Sequence, residues 1–442
     1  MKIKNLIIGF GKGGKTLANK FLKMGEEVVV IEKSEKMYGG TCINIGCIPS
    51  KSLIISSNKK SDFKRSIEIK NTLVTKLRVA NYNKLTSINP NVVINGTAKF
   101  ISDKVIEVTK PDGSKQKIEA QRIFINTGSV PFIPPIKGIN TSKNCITSTQ
   151  LMELEVKPKT LVIVGAGYIS IEFAQAFANF GTKVIILETG ERFLPREDND
   201  ISHEIKKDMA NLGIEILTGI KINEVSDKED KTKITIINGS ETEITADKVL
   251  IATGRRPNTK DLGLENTKLE VLPNGGIKTN ERLETNVEGV WAIGDVRGAE
   301  QFTYTSLDDY RIINNHLFED KTRKLDDRYP LPYSVFITPQ LSHVGMYEKD
   351  AITKEVDYKL FKSKVENFVM PKVKMDTRGL FKCIVDSKTN LILGATLYSD
   401  SSHELINLIS LAIKANLPYT TIRDNIFTHP TMSENLNDLF EE

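Results

Sequence analysis

Two glycine-rich turns set the plan of this chain. Each closes an apolar strand, opens a helix-like segment, and is followed 23 residues after its first glycine by an acid ending a second apolar strand. The first begins in NLIIGFGKGG, with Gly9, Gly11 and Gly14 in G-x-G-x-x-G spacing, and leads to EVVVIE and Glu32. The second begins in TLVIVGAGYIS, with Gly165 and Gly167 in the first two positions and Ser170 in the third, and leads to KVIILE and Glu188. In such a turn the first glycine permits the sharp reversal and the second lets backbone N–H groups approach a pyrophosphate. The third packs helix on strand, and the acid accepts ribose hydroxyls. One such pattern is a frequent accident, but two with equal offsets predict two dinucleotide sites. Serine is small enough to keep the packing contact at position 170.

The two copies stay parallel downstream. NVVINGTAKF and KVIEV read as strands leading through Pro111-Asp112-Gly113 to a buried strand ending at Thr127-Gly128. KITII and TEITA flank Asn238-Gly239 and lead to a buried strand ending at Thr253-Gly254. GVWAIGDV then runs into Gly294 and Asp295, and SLDDYRIINNHLF reads as a helix. From about Pro330 the character changes to strands YSVFI and GLFKCIVD, a hairpin-like NLILGATLYS and a helix HELINLISLAIKANL. The fold class is therefore α/β: two Rossmann-like dinucleotide-binding domains and a C-terminal α+β domain, as 442 residues allow.

Between the first fingerprint and the first antiparallel strands lies GGTCINIGCIPSK, which sets Cys42 and Cys47 at Cys-x4-Cys spacing. A zinc site also uses paired cysteines, but it takes four ligands and no second pair lies nearby, so no metal is expected. Cys145 and Cys383 stand alone and read as small buried hydrophobes. The N-terminus enters a strand directly without a secretory signal, and no run reaches the length of a membrane span. A cytoplasmic location is expected, and in a reducing compartment a cysteine pair is redox-active rather than structural. With Lys+Arg 61 against Asp+Glu 56 the net charge is +5, mild for this length. Even NKKSDFKRSIEIK, from Asn58, mixes acids with bases and reads as an exposed helix or loop, so neither nucleic acid nor membrane is an expected partner.

Two fingerprints, the cysteine pair in the first, Gly294-Asp295 after the second and a terminal FTHPTMSENLNDLF together resemble the FAD-dependent pyridine nucleotide–disulfide oxidoreductases over essentially the whole chain. The resemblance implies an FAD-binding part with a central segment over 1–145 and 271–328, an NAD(P)H domain over 146–270 and a dimerisation domain over 329–442. It implies that Gly9, Gly11, Gly14, Glu32, Gly40, Thr41, Lys51, Thr127, Gly128 and Asp295 hold FAD. Gly165, Gly167, Tyr168, Ser170, Glu188 and Gly254 would hold the nicotinamide dinucleotide, with Tyr168 covering its pocket and swinging away when it arrives. Lys51 would lie against the flavin and pair with Glu172. Cys47 would be the thiolate beside the flavin and Cys42 the exposed thiol that attacks substrate. His429 and Glu434 would form an acid–base dyad contributed by the partner subunit of a homodimer, completing a composite active site.

Glutathione reductases carry arginines after the second acid-ended strand for the 2′-phosphate of NADPH. Here Glu188 ends that strand, so NADH is the expected donor, with Arg192 the nearby cation that would soften the preference. Mercuric reductases usually end in a further vicinal cysteine pair, and this chain ends in DLFEE. The short chain and the ending SENLNDLF look most like the bacterial subgroup of reactive-chlorine resistance that includes hypothiocyanous acid reductases. A small oxidant, hypothiocyanous acid (HOSCN), is thus the expected substrate. Dihydrolipoamide dehydrogenase, acting free or docked as a subunit of a multienzyme complex, is the alternative, followed by other disulfide or metal-ion reductases.

Overall fold

The structure, a computed structural model, describes residues 1–441. Its first parallel sheet centres on the strand Lys2–Ile8, flanked by Val28–Glu32 on one side and Lys115–Ile125 on the other. Val93–Asn95 extends it beyond Val28–Glu32. The strand Val290–Ala292, from far along the chain, pairs parallel with Lys115–Ile125 and delivers Gly294 and Asp295 to the carboxyl end of the sheet. The strands are apolar on both faces, as expected where helices cover a parallel sheet.

The second sheet repeats this pattern. Thr160–Val164 lies between Lys183–Leu187 and Lys248–Ile251, with Glu215–Leu217 and Cys145–Ile146 outside them. Each half also carries an antiparallel excursion: Thr97–Ser102 and Val105–Thr109 against Lys115–Ile125 in the first, and a separate three-stranded sheet over 221–246 in the second. The halves are tied to each other where Ser129–Pro131 pairs with Arg255–Pro257, just past the two Thr-Gly turns. The C-terminal part is a five-stranded antiparallel sheet covered by the helix Ser402–Lys414.

Two local expectations are revised. The segment NVVINGTAKF is not one strand. It breaks at Gly96, whose N–H is taken by Glu32 O at 2.9 Å, so that Val93–Asn95 joins the parallel sheet while Thr97–Ser102 turns antiparallel. The segment NLILGATLYS is not a hairpin but supplies one strand, Ile392–Ser399, paired on both edges with Gln340–Gly345 and Leu380–Asp386. The charged stretch after Asn58 enters a 24-residue helix, Phe63–Thr86, whose N-terminus is capped by Asp62 accepting from Arg65 N–H at 3.1 Å. Among the described residues no helix is long and apolar enough to cross a membrane.

Candidate active site

The two fingerprints fold alike down to single hydrogen bonds. Glu32 accepts from Phe10 N–H at 3.0 Å and from Ser34 N–H at 3.2 Å. Glu188 accepts from Ala166 N–H at 2.7 Å and from Gly190 N–H at 2.8 Å. Each acid thus ties its strand to the residue following the first glycine, and each first glycine needs its left-handed backbone: Gly9 has φ +101° and Gly165 φ +97°. A Cβ on Gly9 would meet Asn126 O at 2.4 Å, and one on Gly14 would meet Ile7 Cγ2 at 2.8 Å. Gly40, from the cysteine segment, packs so that its Cβ would lie 2.7 Å from Gly11 Cα. Ser170 fills the third position of the second copy fully buried, with its hydroxyl unpartnered, which fits a packing role.

Both helices that follow, Lys12–Lys23 and Tyr168–Asn179, begin without a side-chain cap and without an acid in the first turn. Uncapped N–H groups and the positive end of the helix dipole suit a phosphate. At the carboxyl end of the first sheet, Asp295 accepts from Ser129 Oγ at 2.7 Å, and burial raises its pKa. Arg255 donates to the same Ser129 Oγ at 2.8 Å and to Ser129 O at 2.7 Å. Thr127 bonds Asn258 O at 2.8 Å and Gly254 carries φ +108°, so both Thr-Gly turns sit at the crossing between the two halves.

The cysteine segment makes two helices: a short one, Thr41–Asn44, bearing Cys42, and Cys47–Asn58, which Cys47 opens. Both residues are free thiols, and they behave as an unequal pair. The hydrogen bond from Cys42 lowers Cys47 to about 6, assisted by Thr303 and the Lys51 ammonium and opposed by burial. The same hydrogen bond, with burial, raises Cys42. One member is therefore a thiolate at neutral pH and the other a thiol. In the single chain Cys47 is exposed and Cys42 half-buried, the short helix that bears Cys42 lying against the Phe63–Thr86 helix.

Lys51 stands one turn after Cys47, and its Nζ reaches both oxygens of Glu172, at 2.9 and 2.8 Å. Glu172 Oε1 also accepts from Phe336 N–H at 2.8 Å, and Lys51 Nζ lies 5.0 Å from the Phe336 ring centroid. One carboxylate therefore joins a helix of the first half, its own helix in the second half and the residue that follows the strand Tyr333–Val335 of the C-terminal part. At the other end of the chain, His429 Nδ1 bonds Glu434 at 2.8 and 2.9 Å. His429 is two-thirds exposed and makes this contact within the C-terminal part, so the single chain pairs the dyad without bringing it to the cysteines. Tyr168, at the start of its helix, hydrogen-bonds Glu197 at 2.6 Å.

Several contributors escaped the sequence reading. Thr303 lies 3.4 Å from Cys47 Sγ and arrives from the start of the helix Thr303–Phe318, which carries no motif. Asn126, with its amide turned to match its neighbours, accepts from Gly11 N–H at 3.0 Å and Gly14 N–H at 3.2 Å and donates to Ile293 O at 3.2 Å. It adjoins Thr127, so the Thr-Gly turn was the available signal. The remaining cysteines are apart from the site: Cys383 is fully buried and Cys145 lies in an edge strand.

A glycine cradle closed to any Cβ, an uncapped helix start and Asp295 at the neighbouring strand end fit FAD at the first fingerprint. The pattern that defines the pyridine nucleotide-disulphide oxidoreductases matches residues 3–310, and that of their dimerisation domain matches residues 331–440. The chain is 45% identical over 440 residues to a probable pyridine nucleotide-disulfide oxidoreductase, RclA, of Escherichia coli strain K12, covering 99% of both chains. It is 32% identical to a mercuric reductase of Staphylococcus aureus, covering 98% of this chain and 80% of the relative. The solved structure of the HOCl-induced flavoprotein disulfide reductase RclA from Escherichia coli superposes with TM-score 0.95 at 44% identity, over 99% of each chain. A Cu(II) complex of the same protein superposes with TM-score 0.96.

Proposed function

The chain belongs to the pyridine nucleotide-disulphide oxidoreductase family of FAD-dependent enzymes, and from that premise we propose that it carries electrons from NADH to the Cys42–Cys47 pair and on to hypothiocyanous acid. Residues 1–145 with 271–328 form its FAD-binding and central part, 146–270 its NADH domain and 329–442 its dimerisation domain. Bound FAD supplies two-electron transfer between nicotinamide and dithiol. The chain's own residues do the rest. Gly9, Gly11, Gly14, Gly40, Thr41, Glu32, Thr127, Gly128 and Asp295 hold the cofactor, and Lys51, fixed by Glu172, places a positive charge beside it. Gly165, Gly167, Ser170, Glu188 and Gly254 hold the nicotinamide dinucleotide. Glu188 favours NADH because a carboxylate accepts ribose hydroxyls and repels a 2′-phosphate. Arg192, the cation that would oppose this, is engaged with Asn199 at 2.5 Å.

The thiol pair one turn from the Lys51–Glu172 ion pair, with the His429–Glu434 dyad in the segment matched by the family's dimerisation domain, is the observation that carries the reading. His429 of the partner subunit, oriented by Glu434 of the partner subunit, takes the Cys42 proton. Cys42 sulfur then attacks the sulfur of HOSCN and the S–O bond breaks, the departing oxygen leaving as water with the proton returned from the imidazole. This gives a Cys42–S–SCN adduct. The Cys47 thiolate attacks Cys42 sulfur and expels thiocyanate, so thiol, thiolate and HOSCN become disulfide, water and thiocyanate. A small oxidant needs no wide groove, and the likeness to an HOCl-induced reductase supports a reactive-chlorine setting.

The test is NADH consumption by the FAD-loaded protein with HOSCN, lipoamide, oxidised glutathione and Hg(II) in parallel. The highest kcat/KM is expected with HOSCN, and with NADH above NADPH. A clear preference for lipoamide would move the protein to the dihydrolipoamide dehydrogenases.

A further inference from the structure

Beside the second fingerprint, phenols gather round one carboxylate that the dithiol chemistry does not use. Glu197 is fully buried. Its Oε1 accepts from the hydroxyls of Tyr168 at 2.6 Å, Tyr333 at 2.7 Å and Tyr347 at 3.4 Å. Its Oε2 is equally buried and has no hydrogen-bond partner. A carboxylate held out of water with one oxygen unused is costly, and packing alone would be served by an apolar side chain.

Three members of the cluster are fixed. The loop bearing Glu197 is clamped by the C-terminal part: Lys349 Nζ reaches Pro195 O at 2.8 Å and also Arg196 O. Asp198 takes Lys382 at 2.9 Å and the N–H groups of Glu348 and Lys349 at 3.3 and 3.2 Å. Tyr333 sits in a sheet strand, and Tyr347 stacks on His343 with centroids 3.7 Å apart. Tyr168 differs. It opens a helix directly after Gly167, where a Cβ would meet nothing within 4 Å, and it leans on the cluster by its phenol and by stacking on Tyr333 at 5.3 Å.

We propose that Glu197 is a positioning residue that latches Tyr168 over the second fingerprint, so that a nicotinamide dinucleotide must break this hydrogen bond to enter. The proposal rests on reading that fingerprint as the nicotinamide site with Tyr168 as its cover. When Tyr168 leaves, the hydroxyls of Tyr333 and Tyr347 still hold Glu197, so the acceptor waits in place and the closed arrangement re-forms on release. Apparent affinity then falls by the fraction of molecules that are open, and deleting the latch tightens binding, an effect that structural damage would not produce.

Calorimetric titration of NAD⁺, which cannot reduce the enzyme, into the oxidised FAD-loaded protein tests this. Tyr168→Phe keeps the ring and removes the hydroxyl, which bonds Glu197 at 2.6 Å and Tyr333 at 2.9 Å, and it should lower Kd about tenfold, as for the net loss of about one hydrogen bond. Glu197→Leu should do the same, the double variant should gain nothing beyond either single change, and Glu197→Gln, which keeps an acceptor oxygen, should stay close to the unaltered protein. An unchanged or weaker Kd in Tyr168→Phe overturns the latch, as does multiplication of the two single effects. If Glu197→Leu fails to fold, Tyr168→Phe and Glu197→Gln still decide. An unaltered protein that binds neither NAD⁺ nor NADP⁺ removes the nicotinamide reading and the latch with it, a result distinct from normal binding that Tyr168→Phe leaves unmoved.

Discussion

Cys42 and Cys47 have the same side chain, and their surroundings make them different reagents. Cys47 opens a helix, faces Lys51 and Thr303, and receives the Cys42 hydrogen bond. The last of these is the largest influence, so removing it has a predictable sign. In the reduced protein, alkylation of Cys47 by iodoacetamide should rise with pH through about 6, the pKa of its thiolate. In Cys42→Ala the midpoint should move up toward the ordinary thiol range near about 8.5. Mass-mapped alkylation rates across pH would check this, and a Cys47 midpoint that stays near 6 without Cys42 would transfer the credit to the helix start and Lys51.

Among the elements, the strand Gln340–Gly345 carries a testable pH response. His343 is buried there with both ring nitrogens engaged, Nδ1 with Thr396 Oγ1 at 2.8 Å and Nε2 with Gly345 O at 3.0 Å. The Gly345 carbonyl only accepts, so Nε2 carries the proton and Nδ1 accepts from the threonine hydroxyl: a satisfied neutral ring. Burial lowers its pKa to about 4. An unfolded histidine titrates near about 6.5, so the unfolded chain binds the proton first as pH falls. Stability from this group is complete above about 6.5 and is lost toward about 4, by roughly 3 kcal/mol. Urea midpoints at several pH values should fall less steeply below neutrality in His343→Gln than in the unaltered protein; equal slopes would show that other groups govern acid unfolding. No sequence pattern marks this histidine, because its environment is assembled from strands 53 residues apart. The fingerprints, by contrast, were legible because turn, helix start and acid are neighbours in sequence and act on one another locally. Gly96 was misread within a run of β-formers, since what meets it there, the Glu32 carbonyl together with Val108 and Thr109, is supplied by other strands. Thr303 and Glu197 escaped for the same reason: what they touch is distant in sequence.

For the whole molecule, the dyad and the thiols lie in different parts of the fold. Ile426, almost wholly exposed, sits three residues before His429 in a segment matched by the family's dimerisation domain. A second copy of the chain supplying His429 to Cys42 accounts for both facts. His429→Ala and Cys42→Ser chains should each turn over oxidant poorly. Mixed under subunit exchange, they should regain about a quarter of the unaltered activity, since half the dimers are mixed and each holds one intact site of two. Demonstrated heterodimers without regained turnover would end the shared-site account.

The strand Val290–Ala292 also bears on how the protein is made. The first sheet cannot be completed until residues beyond 290 have left the ribosome, whereas the second sheet needs nothing beyond Ile251. The domain begun first is therefore finished second. During synthesis the middle of the chain can fold around its own fingerprint while the first fingerprint still lacks the neighbouring strand and Asp295. A messenger truncated between those points would yield a protein with a complete second sheet and an unfinished first one.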